Sequence, residues 1–168
     1  VSGDWRYLNV SGTGASAALE RCVLRYGGSQ YGTVWCQNDG QLSMTNCTLT
    51  ESGAHGVHSS STGNSIRNTI IAYCNNYGVN LTSGSALVLY SDLWGNSGND
   101  FGPSSTVTGT IEQDPELVDL ATLDYRLLPG SPCIDSGDPS ILDGDGSVSD
   151  MGALPPWPCV SYAKSRAD

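Results

Sequence analysis

Four segments of the chain align with one another: LERCVLRYGGSQYGTV, MTNCTLTESGAHGVHS, IRNTIIAYCNNYGVNL and VLYSDLWGNSGNDFGP. Leu49, Ile71 and Leu93 follow at intervals of 22 residues, as do Met44, Ile66 and Val88, and Cys22 stands 25 residues before Cys47. A fixed period of this length constrains the fold more than any local propensity, because each unit is too short to bury its own apolar face and must stack on its neighbours. Within each unit Cys22 and Leu24, Cys47 and Leu49, Thr69 and Ile71, and Ser91 and Leu93 alternate with outward positions as in a strand. A polar turn and a glycine follow, then Val34, Val57, Val79 or Phe101, and an earlier strand carries Leu19, Met44, Ile66 or Val88. Three short strands per turn of about 22 residues, stacked about 4.8 Å apart, predict an all-β right-handed parallel β-helix of four to five coils. The L-x-x-L-x-L pattern of a leucine-rich repeat is missing.

The boundaries follow the period. Coils are expected over residues 1–103, a C-terminal cap closing the open end of the solenoid over 104–153, and a proline-rich tail over 154–168. In the cap DYRLL reads as a short strand, followed by turns at Pro129-Gly130 and Ser131-Pro132. Stacked edges need such a cover, because an end coil leaves unpaired strand edges. Asn46 and Asn68, 22 residues apart just before a strand, suit a buried amide ladder. Cys22 over Cys47 reads as an inward thiol stack, and Tyr31, His55 and Tyr77, each preceding a glycine, as an aromatic stack.

Charge narrows the partners. Seventeen acidic residues against seven Lys and Arg give a net charge of −10, which excludes nucleic acid and anionic membrane surfaces as natural partners. No apolar run approaches the ~20 residues of a membrane span, so no membrane insertion is expected. The opening VSGDWRYLNV has neither a basic n-region nor an apolar h-region, and a start on Val1 reads as a piece of a longer chain. The six cysteines show no zinc spacing and leave open both disulfides and buried thiols.

The segment IEQDPELVDLATLDYRLLPGSPCIDSGDPSILDGDGSVSDMGA, with NTIIAY and GDWRYL before it, resembles the C-terminal part of secreted bacterial and archaeal right-handed parallel β-helix repeat proteins. The resemblance covers the chain to about Ala153 and implies an extracellular or cell-surface protein. It leaves the activity open, since such folds host lyases, epimerases, glycosidases, adhesins and non-catalytic modules.

Catalytic signals are weak. A lyase needs a basic residue at a lowered pKa, often beside calcium, yet Arg25 aligns with Thr50, Ala72 and Trp94 and not with an acidic cluster. A glycosidase needs two carboxylates flanking the bond, and Glu20, Asp39, Glu51, Asp92 and Asp100 do not pair on one face. His55 and His58 form an acid–base pair only with an acidic orienter, which AHGVHSS lacks. No catalytic residue is assigned. The expectation is a structural or recognition module that offers Trp94, Tyr31, His55 and Tyr77 to polysaccharide or another surface protein, with self-association through an exposed coil edge. The alternative is a polysaccharide-active enzyme, or a fragment of one.

The stretch SGDPSILDGDGSVSDMG holds two readings. Asp143, Asp145 and Ser147 have the 1, 3, 5 spacing of a calcium loop, but Val148 and Leu154 stand where an EF-hand has Gly and Glu. A calcium site of another kind would use Asp138, Asp143, Asp145 and Asp150. The competing reading makes these aspartates turn formers that bond their own backbone. No cofactor is required, and calcium is the one ion suggested.

Overall fold

The computed structural model describes residues 3–99, 101 and 105–155; Asp100, Cys159 and most of the expected tail lie outside the described residues. Four complete coils stack as the period demands. The first is β1 (Leu8–Ser11), β2 (Ser16–Glu20) and β3 (Val23–Arg25); the second is β4 (Gly32–Gln37), β5 (Gln41–Thr45) and β6 (Thr48–Thr50). The third is β7 (His55–Ser59), β8 (Asn64–Arg67) and β9 (Ile70–Ala72), and the fourth β10 (Val79–Leu81), β11 (Ala86–Leu89) and β12 (Asp92–Trp94). A partial fifth adds β13 (Ser105–Thr108), flanked by single bridges from Phe101 to Val79 and from Ile111 to Asp92. All solenoid pairs are parallel, in three sheets ordered β1-β4-β7-β10 (sheet A), β2-β5-β8-β11-β13 (sheet B) and β3-β6-β9-β12 (sheet C).

The register is the one the repeats predict. Leu24, Leu49, Ile71 and Leu93 stack in sheet C, Leu19, Met44, Ile66 and Val88 in sheet B, and Val34, Val57, Val79 and Phe101 in sheet A. Their side chains make one continuous core in which Val34, Met44, Leu49, Ile66, Ile71, Val79, Val88 and Leu93 have no solvent exposure. Each such side chain contributes up to ~1.5–3 kcal/mol of burial. At the first coil the core is open: Leu8, Ala17, Leu19, Cys22 and Leu24 are only partly covered.

The coil turns sharply between sheets B and C because one residue per coil takes the left-handed conformation. Arg21, Asn46, Asn68 and Tyr90 have φ of 49°, 47°, 47° and 47°. Asn tolerates this region better than other side-chain-bearing residues, since its short amide bonds locally.

Two expectations change. Asn46 and Asn68 are buried, but they form no amide ladder between coils. Asn46 Nδ2 donates to Ser149 Oγ (3.2 Å) and to the Asp150 carbonyl (2.9 Å), while Asn68 Oδ1 accepts from the Asp138 N–H (2.8 Å). The coil-to-coil side-chain bonds belong to other positions: Thr69 Oγ1 accepts from Cys47 N, Ser91 Oγ from Thr69 N, and Asn64 Oδ1 from Leu42 N.

The second change concerns the cap. The end of the stack is covered by the partial fifth coil, whereas the segment after Ile111 runs along the outer face of sheet C. There Leu127, Cys133 and Met151 pack on Ile70 and Ala72 as a second small core. This strap contains the antiparallel pair β14 (Leu117–Asp119) and β15 (Asp124–Leu127). It reaches the first coil where Tyr125 Oη meets Arg25, and the fourth where Asp92 accepts from Gln113 N and Cys133 Sγ. Sheet C invites this cover because Ile70 and Ala72 are apolar on the outward side as well. A strand buried on both faces reads as a continuous apolar run, and IIA is one.

Candidate functional site

Sheet A carries the most distinctive surface. Alternation along β4 turns Val34 and Cys36 inward and Trp35 and Gln37 outward, and in register Asn9, Trp35, His58 and Asn80 form one outward column. Tyr31 stacks on Trp35 with ring centroids 4.0 Å apart at 15°, and Tyr7 closes on Trp35 edge-on at 5.0 Å and 82°. The rings continue through His58 (5.6 Å from Tyr31) to His55 (5.2 Å from His58) and Tyr77 (5.6 Å from His55). All six residues are half-buried, so the strip is partly open to solvent.

Tyr31, His55 and Tyr77 thus belong to one strip, but not as the single-file stack expected. The offset from β4 to β7 is 23 residues, which pairs Gly32 with His55 and moves Tyr31 onto Trp35 and His58. Sequence reasoning misses Trp35 and takes His58 only as an acid–base partner of His55; outward parity in strands that point Val34 and Val57 inward is the signal that places both on the strip. Trp94 lies elsewhere. It ends β12 in sheet C, in register with Ala72, Thr50 and Arg25, and does not join the strip.

Asn80 sits between the histidines, with Nδ2 3.1 Å from His55 Nε2 and 3.1 Å from His58 Nδ1. Burial lowers the pKa of both imidazoles, and with His58 adding its repulsion His55 is pushed down to about 4. Both are neutral at pH 7. His55 Nδ1 is buried and has no hydrogen-bond partner.

A second concave surface lies beside the edge strand of sheet C, an open cavity of about 350 Å³ lined by Asp4, Trp5, Val23, Leu24, Arg25 and Tyr26. Trp5 Nε1 donates to the Arg25 carbonyl (2.7 Å), and the Arg25 guanidinium lies 5.2 Å from the Tyr26 ring centroid and 5.9 Å from that of Tyr125. Arg25 is thus held by aromatic rings and the Tyr125 hydroxyl, an arrangement that fixes a cation and supplies no base.

The four aspartates suggested for calcium accept hydrogen bonds from the strap itself. Asp145 Oδ1 accepts from Ser147 N and Oγ (3.0 and 2.7 Å), and Asp143 Oδ2 from Asp150 N (3.0 Å). Asp150 Oδ1 accepts from Asp135 N (2.9 Å), and burial raises its pKa to about 6. Asp138 bonds Ser140 N and Oγ through Oδ1 and Arg67 through Oδ2 (2.7 Å); the Ser140 bonds, with Arg67 adding, hold it below the usual carboxylate range. Among the described residues no three His, Cys, Asp or Glu side chains converge as a metal-holding group. Cys22, Cys36, Cys47, Cys74 and Cys133 carry thiols and no disulfide, with Cys22 over Cys47 at the coil corner as the repeats predict.

Three stacked parallel sheets around a single apolar core define a parallel β-solenoid, a class that supports structural and polysaccharide-related modules. The family described as right handed beta helix region matches residues 8–113, and the chain belongs to it. No curated protein and no solved structure matches the chain.

Proposed function

We propose that this protein is an extracellular or cell-surface recognition module without catalysis of its own, and that it presents the outer face of sheet A to a glycan. The observation that carries the reading is the stacked Tyr31–Trp35 pair, continued by Tyr7, His58, His55 and Tyr77 along successive coils. Aromatic faces pack against the apolar faces of pyranose rings, and amides beside them fix orientation through hydrogen bonds. Asn9 and Gln37 supply such amides in the same sheet, joined to each other at 3.3 Å. The linear run of rings suits an extended polymer better than a small ligand.

A glycan array probed with the wild-type protein and Trp35→Ala tests this. Retention on at least one polysaccharide that falls ~10-fold or more in Trp35→Ala supports it. Absence of binding to every glycan refutes it, and shortened or unsaturated products from uronate polymers would establish the enzymatic alternative. Trp94→Ala, on another sheet, is expected to leave retention unchanged. The open first coil, with β1, β2 and β3 unpaired on one side, is the surface for self-association. Sedimentation over a concentration series reads this directly: a dimer growing with concentration supports the edge contact, and a monomer throughout refutes it.

A further inference from the structure

We propose that His55, His58 and Asn80 form a binding site for a divalent transition-metal cation of the nickel and zinc type. This goes beyond the glycan reading and does not depend on it. The geometry begins with one amide group facing two imidazole nitrogens at 3.1 Å each, His55 Nε2 and His58 Nδ1. With the Asn80 amide nitrogen donating, both ring nitrogens take the acceptor role in the tautomers that this placement assigns. Two unprotonated imidazole nitrogens gathered about one side chain suit a borderline-soft cation. Side-chain rotation would have to bring them to the ~2.0–2.2 Å of a metal–nitrogen bond.

Asn80 completes the set by turning over. Rotation of its amide exchanges Nδ2 for Oδ1 with no change of shape, replacing a donor with an acceptor at the same point. The site then offers two nitrogens and one oxygen, with further positions open to water because His55, His58 and Asn80 are only half-buried. Tyr31 and Tyr77 flank the pair, each with its ring centroid 5.6 Å from an imidazole, and limit competition from solvent.

His55 Nδ1 is buried and has no partner, so ligation through Nε2 lacks the outer hydrogen bond that commonly orients a metal-bound imidazole, and the expected binding is modest. The acidic strap is a different matter: its oxygens would suit calcium or magnesium, whereas imidazoles select against those ions.

The test uses chelator-treated protein titrated with nickel, zinc, calcium and magnesium chlorides, read by calorimetry and by the melting temperature. Copper is left out because the half-exposed Cys22 thiol would reduce it. One equivalent of nickel or zinc is expected to bind and raise the melting temperature, with no response to calcium or magnesium through these side chains. His58→Gln removes one nitrogen and is expected to weaken binding ~10-fold or more. Asn80→Asp replaces the neutral oxygen with a carboxylate and is expected to tighten binding by a similar factor. Absence of stoichiometric nickel and zinc binding overturns the proposal, as does binding that is unchanged in both variants. The Asn80→Asp gain cannot come from a folding defect, and no glycan enters the experiment, so its outcome is separate from that of the recognition reading.

Discussion

Replacement of Asn68 probes how the strap is fastened to the solenoid. Asn68 is fully buried with φ of 47°, and its Oδ1 accepts from Asp138 N at 2.8 Å while its carbonyl accepts from Gly152 N at 2.8 Å. Asn68→Ala leaves the buried Asp138 N–H without its partner, which costs ~1–3 kcal/mol. Alanine must also take a left-handed conformation, at ~1–2 kcal/mol. The sum is about 3 kcal/mol, a large part of the ~5–15 kcal/mol typical of a domain. Asn68→Gly separates the terms, because glycine enters the left-handed region freely, and loss of the Oδ1 bond is partly offset by removal of the buried, unpartnered Nδ2. The expected loss is then about 1–2 kcal/mol. Urea unfolding followed by circular dichroism measures both variants, with midpoints ordered wild type, then Gly, then Ala. If both variants unfold within ~0.5 kcal/mol of wild type, the side chain does not fasten the strap. If Gly falls as far as Ala, the backbone term is wrong.

Three further outcomes follow from the same geometry. A methyl at Gly56 would lie 2.6 Å from both the Gly78 carbonyl oxygen and Ile71 Cγ2, so Gly56→Ala is expected to lower stability by ~1–3 kcal/mol, read by thermal melting. Asp150 titrates in the folded protein at about 6 against an ordinary 3.8. The unfolded chain therefore releases this proton first, and the Asp150 contribution to stability falls as pH rises from about 3.8 to 6. The full shift corresponds to ~3 kcal/mol, reduced to about 2 by the solvent that reaches the carboxylate. Asp150→Asn should remove that fall from the pH profile of unfolding, and an unchanged slope would contradict the burial effect. Finally, Asp145→Ala is expected to destabilise by ~0.5–1.5 kcal/mol through loss of its Ser147 bonds, with or without calcium. A calcium-dependent rise in melting temperature abolished by Asp143→Ala plus Asp145→Ala would instead establish an ion in that loop.

Most of the solenoid was legible because its signal is local and repeated. The stacking of Leu49, Ile71 and Leu93 needs only a period and an alternation, and both are visible in the residues themselves. The aromatic strip was half legible. Tyr31, His55 and Tyr77 were found through their glycine neighbours, but the 23-residue offset from β4 to β7 breaks the single-file stack; Trp35 stacks on Tyr31, while Trp94 lies on another sheet. A one-residue change between coils leaves the inward series intact while shifting what precedes the strand. The strap was legible as a non-repeating segment, not as a lateral cover. Its position depends on Leu127, Cys133 and Met151 meeting Ile70 and Ala72, contacts far apart in sequence that no periodicity announces. Asn46 and Asn68 illustrate the same limit: their left-handed corner follows from the repeat, while their hydrogen-bond partners come from the strap.

The most direct test of the recognition surface is a chemical-shift map of the protein titrated with the oligosaccharide best retained on the array. The account predicts that the perturbed resonances cluster on Asn9, Tyr31, Trp35, His58 and Asn80, with sheet C unmoved. Perturbations centred on Arg25, Tyr26 and Trp94 would contradict it.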